Sequence, residues 1–246
     1  MLSALRIELE SLLRARQLDR TLTSGNPWPD AGRDVASTGI PSLDLTLGGG
    51  VARGHLSEIV GPRSSGRTTV LCRMLGAAVT RGEAVALIDT CDRFDPCSAD
   101  QAGLDVSKLL WVRDTGTALR ALKAMNLVLQ AGGFGLVAFD VADVRAAALR
   151  QFPLTTWMRM ARVIEGSQTA AIVIASARLA RSPGGVTIAL EPSPNVSTAQ
   201  WVGDSDRARL LRAIDLRTRV VGGRAVGGGG GRGTSFNTET RRHGSF

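Results

Sequence analysis

The segment Gly61–Thr69, which reads GPRSSGRTT, constrains the fold of this chain more than any other feature. It follows the phosphate-binding pattern G-x-x-x-x-G-K-[ST] at every position except one. In that pattern the glycines let the backbone wrap around a phosphate group, and the amides at the start of the next helix point at it. An apolar run, Leu56–Val60, precedes the segment and a helical run, Val70–Val79, follows it. The sequence therefore predicts a strand, a phosphate-binding loop and a helix.

The exception is Arg67, which stands where the pattern has lysine. A planar guanidinium on a longer stem does not fit the volume that a compact ammonium occupies between two phosphates. We therefore expect ATP with Mg²⁺ to bind weakly here, and a glycine-rich turn without any ligand is the alternative interpretation. The loop residues assigned to this weak or vestigial nucleotide site are Gly61, Ser64, Ser65, Gly66, Arg67, Thr68 and Thr69.

The charge of the chain indicates a polyanionic partner. Its 246 residues carry a formal net charge of +8, supplied by 28 arginines and two lysines. An arginine-rich source proteome would produce the same excess, so charge alone makes single-stranded DNA only one candidate.

No apolar run approaches the ~20 residues of a membrane span, and Met1–Arg20 mixes leucine with charged residues. We expect a cytoplasmic protein with no membrane partner, whose three cysteines are reduced thiols.

The chain divides into three parts. Residues 1–36 are predicted to form an amphipathic helix and a linker, with Leu5, Leu9 and Leu12 on one face as partner-binding residues. The alternative is that this leucine face folds back onto the chain's own core. Residues 37–221 form the core, and residues 222–246 are a flexible Gly/Arg-rich tail that contains five consecutive glycines and is predicted not to fold.

The core is predicted to be an α/β fold with a mainly parallel sheet between helices. Its apolar runs are continuous, which indicates strands buried on both faces, and helical runs alternate with them. The predicted strands are Leu56–Val60, Ala84–Asp89, Leu109–Val112, Leu136–Asp140 and Ala170–Ala175. The predicted helices are Thr68–Arg81, Thr117–Ala131 and Leu154–Gln168. A hairpin over Val186–Leu190 and a last pair of runs over Arg209–Val221 complete the core.

The order of these elements and several local motifs resemble the core of RecA-type recombinases. The motifs that carry the resemblance are Ser37–Asp44 (STGIPSLD), Leu47–Val51 (LGGGV), Glu58–Pro62 (EIVGP), Leu87–Asp89 (LID), Phe94–Pro96 (FDP) and Gly103–Asp105 (GLD). They span residues 37 to about 180, far more than one motif. The resemblance implies a RecA-like P-loop core with an N-terminal helical arm and a disordered tail.

The resemblance assigns two more aspartates to the nucleotide site and weakens the case for hydrolysis. Asp140 ends an apolar strand, as does the second carboxylate motif of such enzymes, and would hold Mg²⁺ opposite Thr68. Counted from Asp95, the position at which the family stacks an aromatic on adenine is Ser98 here, although Asp95 itself remains and is assigned to the site. The water-orienting glutamate falls at Cys91, and the glutamine that reports nucleotide state falls at Ser176. With Arg67, these losses favour a protein that does not hydrolyse ATP, so no catalytic residue is assigned.

Within the RecA-like proteins, the amphipathic leader, the altered loop and the Gly/Arg-rich tail look most like ImuA, an accessory protein of bacterial translesion mutagenesis. This resemblance implies an adaptor or regulator in the SOS response, with RecA recombinase and an ImuB-like Y-family polymerase homologue as partners. It also implies contact with single-stranded DNA near the nucleoid. The arginines assigned to DNA are Arg145, Arg150, Arg159, Arg162, Arg178 and Arg181.

Two other functions compete with the adaptor. The first is an active single-stranded-DNA-dependent ATPase of the RecA family in DNA repair, which tolerates Arg67 and takes its water-orienting carboxylate from Asp92 or Asp95. The second is a regulator of cell division that binds a cytoskeletal protein, for which the sequence offers no specific feature.

Overall fold

A computed structural model describes residues 34–101, 103–113, 116–180, 184–191, 199–202, 210–221 and 234–239 of the chain. The leucines of the predicted N-terminal arm, Leu5, Leu9 and Leu12, and the arginine Arg181 lie outside these residues. What the sequence predicts for them stays a prediction.

Eleven strands lie in the described part of the chain. They are β1 (Val35–Ala36), β2 (Val51–Ala52), β3 (Leu56–Val60), β4 (Val85–Asp89), β5 (Leu109–Arg113), β6 (Leu136–Asp140), β7 (Ala170–Ala175), β8 (Thr187–Glu191), β9 (Ala199–Val202), β10 (Leu210–Val221) and β11 (Thr234–Glu239). The helices there are α1 (Pro41–Leu47), α2 (Arg67–Thr80), α3 (Pro96–Gln101), α4 (Ala118–Ala131), α5 (Ala146–Leu149) and α6 (Leu154–Ile164). A short 3₁₀ turn, Val106–Lys108, precedes β5.

The large sheet has the order β11-β10-β8-β3-β7-β6-β4-β5, and β9 also pairs with β10. From β8 to β5 all neighbouring strands are parallel, whereas β10 runs antiparallel to its neighbours. Strands β1 and β2 form a separate antiparallel pair. Because parallel strands end at one edge of a sheet, the loops after β3, β4, β6 and β7 meet at that carboxyl edge.

Two apolar cores cover the two faces of the sheet. The first contains residues of α1 and α2 such as Leu43, Val70 and Leu75, and the second contains residues of α4 and α6 such as Met125 and Trp157. The central strands are buried at almost every position, as their continuous apolar runs predict. The predicted α/β class and mainly parallel sheet are therefore confirmed.

The structure corrects three details of the prediction. Helix α6 ends at Ile164 and not at Gln168, because Gly166 takes a left-handed conformation (φ 73°) and turns the chain toward β7. Residues Val186–Leu190 do not form a hairpin, since β8 is one strand held between β3 and β10. The predicted pair of runs over Arg209–Val221 is likewise the single strand β10.

The tail departs from the prediction at one place. Strand β11 lies inside the segment 222–246 that was expected not to fold, and it pairs antiparallel with residues 213–218 of β10. Threonine and phenylalanine favour strands, and β10 supplies backbone partners on that side. The prediction rested on the glycine content of the whole tail and overlooked the strand preference of this short segment. None of the helices in the described part of the chain is long and apolar enough to span a bilayer.

Candidate nucleotide site and nucleic-acid face

The predicted phosphate loop joins β3 to α2 at the carboxyl edge of the sheet. Ser64 and Gly66 both have positive φ, at 61° and 88°, so the loop curls tightly before the helix begins. A Cβ on Gly61 would lie 2.6 Å from the Ser65 hydroxyl and 2.8 Å from the Leu190 carbonyl, so only glycine fits there. The sequence pattern therefore corresponds to a real strand, loop and helix.

The start of α2 suits an anion. Gly66 is its N-cap and no side chain caps the helix, which leaves the amides of the first turn without an intrahelical acceptor. The Ser65 hydroxyl is buried without a hydrogen-bond partner among the described residues. Thr68 is exposed and Thr69 is half-buried. This backbone fits a phosphate group, which would satisfy the amides.

Arg67 points into the loop. Its side chain is buried, and its Nη1 donates a hydrogen bond of 2.9 Å to the carbonyl oxygen of Gly61, across the loop from it. The guanidinium thus supplies a fixed positive charge inside the loop and ties the loop's two ends together. The backbone fits a phosphate, but the side chain of Arg67 competes with it for space.

Asp140 lies at the end of β6, directly opposite Asp89 at the end of β4. Burial raises the pKa of Asp140 to about 6, the amide of Ala142 and the charge of Arg67 oppose this rise, and the carboxylates of Asp89 and Asp143 add to it. In such surroundings a nearby cation stabilises the charged form of a carboxylate. The assignment of Thr68 and Asp140 as oxygen donors for Mg²⁺, should nucleotide bind, remains a prediction.

The carboxylate of Asp89 is occupied by hydrogen bonds within the fold. It accepts hydrogen bonds from the amides of Arg93 (3.0 Å) and Phe94 (2.8 Å) and from the indole of Trp111 (3.3 Å). Trp111 packs edge-on against Phe94, with ring centroids 5.4 Å apart. Asp89 thus holds the turn after β4 in place.

The water-orienting position carries a thiol. Cys91 is half-buried, and burial, followed by the carboxylates of Asp143, Asp140 and Asp89, raises its pKa above the ordinary value. At neutral pH the group is therefore a neutral thiol, which does not polarise water as a carboxylate does.

Neither aspartate suggested as a replacement is free. Asp92 makes a bidentate pair with Arg113, at 2.7 and 2.6 Å. Asp95 is exposed and accepts hydrogen bonds from the hydroxyl of Ser98 and from the amides of Ser98 and Cys97 at the start of α3, and these bonds lower its pKa. Both carboxylates serve the local fold, which weighs against the ATPase alternative. The assignment of Asp95 to nucleotide remains a prediction.

The structure separates the arginines assigned to DNA into two groups. Arg145 and Arg150 flank α5 after β6, Arg178 follows the neighbouring strand β7, and all three are exposed at the carboxyl edge. Arg159 and Arg162 are exposed on α6, which runs away from that edge. At 1.5 Å per residue, Arg162 lies about 12 Å along the axis from Leu154. Sequence order alone did not reveal this separation.

Sequence reasoning missed Glu58. This glutamate is buried within β3, where its carboxylate accepts hydrogen bonds from the amides of Leu179 and Ala180 and from the hydroxyl of Thr187. The available signal was a charged residue inside the otherwise apolar or neutral run Leu56–Val60.

Comparisons with known proteins agree with this architecture. The sequence profile of the RecA N-terminal domain matches residues 25–175. Protein RecA of Clostridium acetobutylicum is 40% identical over 108 residues, which cover 44% of this chain and 31% of that protein. Protein RecA of Thermus aquaticus is 37% identical over 108 residues, which cover 44% of this chain and 32% of that protein. The match thus spans about a third of the length of these curated relatives.

A solved structure shows the same fold. The crystal structure of the RadB recombinase superimposes with a TM-score of 0.54 at 20% sequence identity, covering 76% of this chain and 89% of that chain. At that identity the likeness concerns the fold, and the chemistry of the site has to be argued from the residues present.

Proposed function

The chain belongs to the RecA family, and from the state of its phosphate loop we propose that it is an accessory protein of DNA repair that acts without hydrolysing ATP. In this proposal it serves as an adaptor or regulator of a recombinase filament and of polymerase subunits during error-prone translesion synthesis in the SOS response. The resemblance to ImuA supports this finer role, together with a cytoplasmic, nucleoid-associated location.

The observation that carries the proposal is the hydrogen bond from Arg67 to Gly61. In this position the guanidinium closes the loop and supplies internally the positive charge that the loop lysine normally brings to the terminal phosphates. When ATP and Mg²⁺ bind, the loop amides, Thr68 and Asp140 would hold them, and the metal would neutralise phosphate charge. The thiol of Cys91 leaves the attacking water without an orienting carboxylate.

Contact with single-stranded DNA is proposed at the carboxyl edge, where Arg145, Arg150 and Arg178 are exposed on neighbouring loops. Their guanidinium groups suit phosphate oxygens, and no base-specific arrangement is needed. None of the three has an ion-pair partner among the described residues, so each keeps its charge available to DNA.

We expect the double change Arg145→Ala, Arg178→Ala to weaken binding to an oligothymidine and to flatten its salt dependence. Each lost phosphate contact reduces the magnitude of the negative slope of log K against log salt by about 0.7 for a single strand. In fluorescence anisotropy titrations the slope of the double variant should therefore be about 1.4 smaller in magnitude than that of the wild type. The control Arg120→Ala, Lys123→Ala removes the same charge from exposed positions of α4, and an equal loss there would contradict a local DNA interface.

Partner binding is proposed for the N-terminal leucines. If residues 2–20 are helical, Leu5, Leu9 and Leu12 share one face, and that face would dock on RecA recombinase or on the ImuB-like polymerase homologue. The sequence carries this proposal, because the arm lies outside the described residues.

The change Leu5→Glu, Leu12→Glu should reduce binding to purified RecA recombinase at least tenfold, because two charges replace apolar contacts. The matched control is Ser3→Glu, Ser11→Glu, which adds the same charges to the opposite side of the helical wheel. Biolayer interferometry measures the affinity and circular dichroism checks the fold. Equal binding by both double variants would contradict docking through the leucine face.

A further inference from the structure

Glu58 is a buried carboxylate without a cationic partner among the described residues. It is 1% exposed, and its Oε1 accepts hydrogen bonds from the amides of Leu179 (2.7 Å) and Ala180 (2.5 Å). Its Oε2 accepts from the hydroxyl of Thr187 at 3.1 Å. A buried carboxylate is costly unless such donors satisfy it, so these contacts are a condition for placing glutamate here.

The contacts of Glu58 reach far along the sequence. Leu179 and Ala180 belong to the loop that follows β7, more than 120 residues away, and Thr187 begins β8. One side chain on β3 therefore fastens the loop that leaves β7 and the strand that follows it.

Neighbouring residues of β3 hold the returning end of the same connection. The hydroxyl of Ser57 accepts from the amide of Val186 at 3.1 Å, and the amide of Glu58 donates to the carbonyl of Val186 at 2.8 Å. A Cβ on Gly185 would lie 1.8 Å from the carbonyl oxygen of Leu56, so the backbone approaches β3 closely there. The connection from β7 to β8 is thus tied to β3 on both sides of residues 181–183.

Arg178 lies directly before the two amides that Glu58 holds, and its side chain is exposed. Fixing the backbone at residues 179 and 180 restricts where this guanidinium can reach. A loop that is ordered before it meets its ligand loses less conformational entropy on binding.

We propose that Glu58 is the positioning residue of the DNA interface: it holds the loop after β7 so that Arg178 is presented to single-stranded DNA without any need for bound nucleotide. This inference rests on the proposed DNA-binding function. Glu58 contacts no DNA itself and acts through Arg178.

The first test is a double-mutant cycle on the salt dependence of oligothymidine binding, measured without nucleotide. Arg178→Ala should reduce the magnitude of the slope by about 0.7, and Glu58→Leu, which removes the acceptors, should reduce it by the same amount. The double variant should be no worse than either single one, because Arg178 is already misplaced when Glu58 is absent. Glu58→Gln should behave like the wild type, since its carbonyl oxygen can accept from both amides and Thr187 can reverse its hydroxyl.

Additive losses in the double variant, or an unchanged slope in Glu58→Leu, would overturn the proposal. If Glu58 served only to stabilise the fold, Glu58→Leu would weaken every contact with DNA. Arg178→Ala would then still have its own effect in the double variant. Should Glu58→Leu fail to fold, Glu58→Thr replaces it, because threonine suits a strand and is too short to reach residues 179 and 180.

A second test needs no DNA and separates failure of this inference from failure of the proposed function. Amide hydrogen exchange by NMR should show Leu179 and Ala180 protected in the wild type and in Glu58→Gln, and exchanging at least a hundredfold faster in Glu58→Leu. The control is the amide of Val141, which donates to Ile174 at 2.9 Å and should stay protected throughout. Unprotected amides at 179 and 180 in the wild type would refute the inference that Glu58 holds this loop, even if DNA binds. Protected amides in a chain that binds no DNA would refute the DNA interface and, with it, the positioning role.

Discussion

Replacing Arg53 with alanine is expected to lower the free energy of unfolding by about 2 to 3 kcal/mol, because the change removes several charge-assisted hydrogen bonds from one largely buried guanidinium. The Arg53 side chain is 8% exposed and lies at the edge of the sheet opposite the nucleotide site. It donates to the carbonyls of Gln168 (2.7 Å) and Gly135 (3.4 Å) and pairs with Glu83 and Asp34. One guanidinium thus joins the segments that lead into β1, β4, β6 and β7.

The control for this variant is Arg81→Ala. Arg81 pairs with the same carboxylate, Glu83, but its side chain is 31% exposed. Such a pair contributes about 0 to 1 kcal/mol, so this variant should unfold close to the wild type in urea. Equal costs for the two changes would show that the hydrogen bonds of Arg53 do not join the sheet edge as described.

The second large effect is expected at Asp140, where asparagine should stabilise the protein at neutral pH. Burial raises the pKa of Asp140 to about 6 in the folded chain, above its ordinary value of 3.8. Between these values the folded state binds more protons than the unfolded state, so the free energy of unfolding falls as pH rises from about 4 to 6. The full shift corresponds to about 3 kcal/mol, and screening at this half-buried group reduces it to about 2 kcal/mol.

Asp140→Asn removes the titrating group and keeps an oxygen that accepts from the amide of Ala142. We therefore expect the variant to be about 2 kcal/mol more stable than the wild type at pH 7.5 and equal to it near pH 4. Denaturant unfolding at several pH values measures both. Asp143→Asn is the control, because Asp143 pairs with the exposed Arg63 and Arg93 at the surface and should change stability little. A variant less stable than the wild type at pH 7.5 would show that the folded chain does not disfavour the charged carboxylate of Asp140.

The central strands could be predicted from the sequence because strands buried on both faces consist of continuous apolar runs. A run such as Ala170–Ala175 is apolar throughout, and only a strand covered on both faces needs that pattern. The phosphate loop was also predictable, since its glycines are required by backbone geometry at fixed spacing. The ends of elements were less predictable: the end of α6 depends on Gly166, whose left-handed conformation no periodicity reveals.

The site was predictable in its residues and not in its geometry. The sequence shows that Arg67 replaces lysine, but whether the side chain points into the loop depends on the Gly61 carbonyl as an acceptor. The sequence groups six arginines by their order along the chain, whereas the length of α6 carries Arg162 away from the loops that hold Arg145 and Arg178. The partners of Glu58 lie more than 120 residues away, so no local pattern indicates them.

The most direct test of the account measures ATP binding by calorimetry and phosphate release, with and without single-stranded DNA. If Arg67 closes the loop and Cys91 cannot orient water, the wild type should release no more phosphate than Asp140→Ala under either condition. Weak ATP binding without turnover agrees with this account, because the loop amides still fit a phosphate. Turnover that single-stranded DNA stimulates and that Asp140→Ala abolishes would contradict it and identify the chain as an active DNA-dependent ATPase.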